Sequence, residues 1–261
     1  MRDREPAGRA RRYGRSALLL LSFASGAADV LAVVALGGAF AGIMTGNLVL
    51  LGAAAAGERS QGAWAPALAL GGYLLGTVLA VPLTRRGGGR RAWPRGALWC
   101  LGAEAVVLAS VAVVWTVADR PDPGGVAAGV LLVPLSAAMG AQATTVLSLG
   151  REGAPTTFFT STLTSLVAGF AARQPGGVDG WAVARLVCLF AGACGAVLVR
   201  RAVPDVALFL PAVLVAAAVV VVAAGGGNEG AARGRYRHRF RTGVRNSADI
   251  SPSCGHPWSR P

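Results

Sequence analysis

Polar and apolar positions along this chain fall into long blocks, not the short alternations of a water-soluble fold. Apolar runs cover residues 16–37, 64–84, 96–117, 125–149, 181–199 and 204–224. Each is close to the roughly 20 residues a helix needs to cross the hydrocarbon of a bilayer. These runs lack the polar face at helical period that a soluble protein's surface helices carry. Two further apolar stretches, 40–56 and 156–172, are too short to cross comfortably. They read as half-helices or re-entrant pieces packed inside a bundle. The pattern predicts an all-α integral membrane protein with six transmembrane helices and two short half-segments.

The ends read differently. Residues 1–15 are polar, carry six arginines and read as a disordered basic tail. Residues 225–261, rich in Gly, Arg and Ser with little apolar content, read as a second disordered tail. The start also resembles a secretory signal, with Arg11-Arg12, an apolar stretch from Leu18 to Leu21, and the small residues Ser25-Gly26-Ala27-Ala28. The apolar run continues through Val30 to Leu36, so its length suits a span better than a cleaved signal.

Composition agrees with the pattern. Only 14% of the 261 residues are charged, against about a quarter in a soluble domain, and the mean hydropathy is +0.54. Basic residues outnumber acidic ones 25 to 12, and every basic residue is Arg. Beside so much Ala, Gly and Val this reads as compositional bias, so no nucleic-acid partner is inferred; the expected partner is the lipid bilayer. With the N-terminus in the cytoplasm, the 85–95 loop and its five arginines fall there too, as does the C-terminal tail. Arg59, Arg120, Arg200 and Arg201 are left outside, and the positive-inside rule favours this arrangement. The expected location is the bacterial plasma membrane. Cys100, Cys188 and Cys194 lie in apolar runs, and His238 and His256 lie in the C-terminal tail. No spacing suggests a metal, a cofactor or a nucleophile–histidine pair, and the chain is not read as an enzyme. Nothing in the sequence specifies an oligomeric state.

The two halves resemble each other. Ser25-Gly26-Ala27-Ala28-Asp29 aligns with Met139-Gly140-Ala141-Gln142-Ala143, and Met44-Thr45-Gly46-Asn47-Leu48 with Phe159-Thr160-Ser161-Thr162-Leu163. A tryptophan, Trp64 or Trp181, then opens the next span. Residues 16–118 and 119–224 therefore read as two three-helix repeats. An odd number of spans per repeat makes the second inverted relative to the first. Inverted repeats with interrupted helices recur in secondary transporters, which bind their solutes near the midplane.

The candidate chemistry lies at these matched positions. Asp29 sits deep in the first span, where a carboxylate costs about 2.5–3.5 kcal/mol to insert. No Lys exists and no Arg is read as lying deep in a span, so Asp29 is expected to be hydrogen-bonded, protonated or cation-binding. The plain alternative is a bond that only fixes bundle packing. Thr45, Gly46 and Asn47 read as a helix start whose side chains cap free N–H groups. Thr160, Ser161 and Thr162 would be the matching half-site, with Gln142, Thr144 and Thr145 at the same level. Glu104 reads as near the interface, about two turns inside its helix. Gly72 with Gly76, and Gly192 with Ala196, read as helix-packing faces.

These residues carry a resemblance. Gly26-Ala27-Ala28-Asp29, then Phe40, then Met44-Thr45-Gly46-Asn47-Leu48-Val49-Leu50-Leu51-Gly52 resembles the YoaK-like family of uncharacterised bacterial membrane proteins. Thr157-Phe158-Phe159-Thr160-Ser161-Thr162-Leu163 is similar to that family's second Thr-rich element, with Ser161 where the family often has Gly. The resemblance covers roughly residues 16–224 and implies a multi-pass plasma-membrane protein of unestablished function. The leading expectation is a small permease or channel for a small solute, with a proton coupled through Asp29. Its rival is a non-transporting membrane scaffold or assembly factor.

Overall fold

The computed structural model describes residues 5–58, 63–85, 93–118, 125–149 and 179–225, with a few single positions between them. The described elements are all helical. In chain order they are α1 (Glu5–Ala35), α2 (Met44–Ala55), α3 (Trp64–Arg85), α4 (Arg95–Val117), α5 (Val126–Ser148), α6 (Gly180–Ala202), a 3-10 turn (Pro204–Val206) and α7 (Phe209–Gly225).

Six spans were expected, and among the described residues five helices are long and apolar enough to cross: Arg12–Ala35 of α1, α3, α4, α5 and α6. The sixth apolar run is divided. Pro204, with its fixed φ and no N–H, opens the separate 3-10 turn. Regular helix resumes only at Phe209, so α7 is shorter than the other five. At the other end, α1 begins at Glu5, within the stretch read as a tail. The exterior is apolar: Val126 is 85% exposed, Val117 81%, Trp99 75% and Phe190 71%, a surface suited to lipid and not to water.

Lipid tails are as apolar as Leu, so helices in a bilayer associate by close packing at small residues. Here α1 packs on α6 and α3 on α5, with α4 also on α5. Both principal pairs cross on glycine. A Cβ added to Gly26 would run into the Leu189 carbonyl, and one added to Gly192 into the Phe23 carbonyl. In the other pair, Gly140 meets the Tyr73 carbonyl, Gly76 the Ala137 carbonyl and Gly72 the Val133 carbonyl. Gly72, Gly76, Gly192 and Ala196 thus lie on packing faces, as their spacing suggested.

Tryptophans tie the helix ends. At one end Gly14 lies against Trp93, Gly225 against Tyr13, and the Arg15 guanidinium 5.3 Å from the Trp181 ring centre. At the other, Trp64 packs against Gly37 and Gly129. The long helices therefore alternate in direction. The short α2 packs on α3. It was expected inside the bundle, yet Leu48 is 55% and Val49 72% exposed, while Asn47 is buried. It lies at the bundle edge, because only one side of so short and apolar a helix has a polar group to hide.

The crossings predict a contrast between two neighbouring glycines. Gly76→Ala should lower stability by about 1–3 kcal/mol, because the methyl meets backbone that cannot move aside. Gly71→Ala, with nothing within 4 Å of the added Cβ, should be neutral or gain up to about 1 kcal/mol of helix propensity. Thermal unfolding of the purified protein in detergent measures both.

Candidate functional site at the break after the first helix

Helix α1 ends at Ala35, and Gly37 and Gly38 turn the chain with φ of 112° and 72°. Only glycine takes such angles without strain. The following segment is non-helical yet buried, with Ala39 and Ala41 fully so. Backbone N–H and C=O groups hidden in this way need partners inside the protein.

Two side chains supply them. Asp29, buried one and a half turns before the end of α1, accepts from the Gly42 N–H at 2.6 Å. The amides of Ala41 and Ile43 lie beside the same carboxyl. Asn47, fully buried, pairs with Phe40 in both directions. Its Oδ1 accepts from the Phe40 N–H at 2.9 Å, and its Nδ2 donates to the Phe40 carbonyl at 2.7 Å. Only an amide side chain offers a donor and an acceptor side by side in this way. Gly46 lets the Phe40 ring settle on α2, since a Cβ there would come within 3.0 Å of it.

This arrangement corrects the capping expectation. The residue before α2 is Ile43, which makes no side-chain cap, and the helix begins at Met44. Thr45 and Asn47 are then the second and fourth helical residues, already past the cap position. Thr45 is exposed, and Asn47 reaches backwards to the loop.

Gln142 lies elsewhere. It is buried at the α5–α1 contact, where its Nε2 donates to the Leu21 carbonyl at 3.2 Å. Its Oε1 has no hydrogen-bond partner among the described residues. Thr144 and Thr145 turn their hydroxyls back to the carbonyls of Gly140 and Ala141 on their own helix. The structure thus brings Asp29, Gly46 and Asn47 together around residues 40–43. The same loop touches α5, since a Cβ on Gly42 would lie 3.7 Å from Met139 Cβ. Thr160, Ser161 and Thr162 lie outside the described residues.

Two buried charged residues stand where they were not expected. Arg185, read as outside the membrane interior, is buried on α6 with its Nε 3.4 Å from Ser22 Oγ. Its spacing of seven to Gly192 and eleven to Ala196 puts it on the packing face of α6, a signal present in the sequence. Glu104 does not reach the interface. It is 3% exposed, on a buried stripe of α4 formed by Ala97, Leu101, Glu104, Leu108, Val111 and Trp115. Among the described residues neither carboxyl oxygen has a hydrogen-bond partner, and no three His, Cys, Asp or Glu side chains converge as metal ligands.

A chain that buries a broken helix within a bundle clad in Val, Leu and Trp is a multi-pass α-helical membrane protein. Comparison with known families narrows the class. Residues 17–221 match the family described as "Protein of unknown function (DUF1275)", and the chain belongs to that family. It is similar to the UPF0700 transmembrane protein YoaK of Bacillus subtilis (strain 168), at 29% identity over 211 residues, covering 78% of this chain and 91% of that protein. No solved structure matches.

The loop anchors predict graded effects. Asn47→Ala should cost about 2–4 kcal/mol, because both Phe40 backbone groups lose their partner inside the protein. Asn47→Asp should cost less, since it keeps the acceptor. Asp29→Asn should be milder than Asp29→Ala for the same reason. Hydrogen exchange at the Phe40 and Gly42 amides should rise in the alanine variants, and unchanged protection there would refute the anchoring role.

Proposed function

We propose that this protein is a small secondary permease for a small solute. In this reading it is built from two inverted three-helix repeats, sits in the bacterial plasma membrane and has both termini in the cytoplasm. The observation that carries the reading is the register of the glycine crossings. Gly140 lies 114 residues after Gly26, and its partner Leu189 in the first crossing lies 116 after Tyr73 in the second. Likewise Gly192 lies 116 after Gly76, while Phe23 lies 114 before Ala137. Both glycine–carbonyl contacts of the α1–α6 pair thus have counterparts in the α5–α3 pair, at offsets of 114 and 116 residues that lie close to the 114 and 115 of the aligned motifs. Inverted repeats of this kind support rocking of one half against the other around a central site. The gathering of the starts of α1, α4 and α6 with the end of α7 supports six passes.

Within this reading the solute meets the bundle centre near Gln142, whose Oε1 has no hydrogen-bond partner among the described residues. One observation favours the scaffold alternative: Asp29 and Asn47 direct their hydrogen bonds to the protein's own loop. Flux assays in liposomes across a panel of sugars, amino acids, organic acids and amines decide between the two. The permease reading expects gradient-driven accumulation of at least one solute, reduced in Gln142→Ala at an unchanged melting temperature. No flux and no thermal shift with any solute would leave the scaffold.

A further inference from the structure

The sequence directs attention to Asp29 as the acid of the membrane interior, yet that carboxyl accepts from the Gly42 amide and lies beside those of Ala41 and Ile43. Glu104 is the opposite case. It is the tenth residue of the 23-residue α4, about 14 Å along a helix that crosses roughly 30 Å of hydrocarbon. Its neighbours a turn away on the buried stripe are Leu101 and Leu108, and neither carboxyl oxygen has a partner among the described residues. The Cys100 thiol, one turn earlier, meets the Thr145 side chain of α5. The helices are antiparallel, so one turn deeper Glu104 of α4 and Gln142 of α5 come to the same level. Gln142 Oε1 is itself buried and has no partner among the described residues.

We propose that Glu104 is a proton-binding site at the α4–α5 interface, with Gln142 Oε1 as the acceptor at its level, and that it carries the coupling ion of the permease. The transport role rests on the function proposed above, whereas proton binding does not. An ionised carboxylate without a partner at this depth is strongly disfavoured, and intramembrane acids of this kind serve proton relays. A metal cation is the weaker fit, because it needs several oxygen ligands at once and the stripe around Glu104 is Leu and Val. A proton needs only the carboxyl itself. The neighbouring elements bring few titrating groups. Among described residues α5 and α7 have none, α3 has Tyr73 and Arg85, the 204–206 turn has Asp205, and α4 itself has Cys100 and Arg95.

The full chain in liposomes, treated with an apolar carbodiimide and mapped by peptide mass spectrometry, tests this without any solute. The reagent attacks protonated carboxyls in apolar surroundings. Glu104 should be modified, falling about tenfold for each pH unit above its titration midpoint, and Glu104→Gln should melt like the parent and lose the modification. An unmodified Glu104 beside modified acids elsewhere would overturn the proposal. So would labelling that ignores pH, or protection by sodium at constant pH. Should Glu104→Gln fail to fold, the pH profile of the parent decides alone. A pH-dependent label without solute flux would sink the permease and leave the proton site. Flux with an unlabelled Glu104 would do the reverse.

Discussion

Helices in a bilayer gain little by hiding Leu from lipid, so this bundle depends on how closely its backbones approach. The α1–α6 and α3–α5 pairs both set glycine against a carbonyl of the facing helix: Gly26 and Gly192 in one, Gly76 and Gly140 in the other. At such separations backbone dispersion contacts replace the hydrophobic effect. Everything else hangs from these two crossings. They set the level at which Ser22 meets Arg185 and Gln142 meets Leu21, and they leave α4 to close over α5 through its buried stripe.

Breaking a helix inside such a bundle creates a second demand. Once α1 stops at Ala35, the backbone of residues 39–42 has lost its helical partners while staying largely buried. Asp29 and Asn47 replace them, the first as a cluster of acceptors for amides, the second as a mimic of a peptide unit. The same two residues that look like a binding site in the sequence are thus committed to shaping the turn. A polar residue in an apolar run marks a place where backbone or ligand needs a partner, and only geometry tells which.

The two intramembrane acids separate on that basis. The Asp29 carboxyl accepts from the Gly42 amide, an arrangement suited to holding the turn. Among the described residues the Glu104 carboxyl has no such partner, an arrangement suited to exchange. The inverted-repeat reading gives this asymmetry a sense, because the counterpart of Asp29 in the second half is Ala143. A central site would then draw its titrating group from neither motif but from α4.

Much of the molecule was legible in the sequence. Apart from the turns of α1 that precede residue 16, the long helices lie within a few residues of the apolar runs, because crossing a bilayer is a matter of length and composition that each segment carries by itself. The importance of Asp29 and Asn47 was legible too, since polar groups stand out against Ala, Val and Leu. Their roles were not, because the Gly42 amide and the Phe40 peptide are partners only after the turn forms. The division of the last run into a turn and a short helix follows from Pro204, which opens the turn. Arg185 and Glu104 carried a packing-face spacing, yet which neighbours they meet depends on helices far away in the chain. Gln142 and Leu21 stand 121 residues apart. The sequence by itself determined the membrane class, the helices and the small residues able to bring them close. Tertiary structure alone decided which polar group is satisfied and which is left open, because hydrogen-bond satisfaction is a property of the assembled pair and not of either residue.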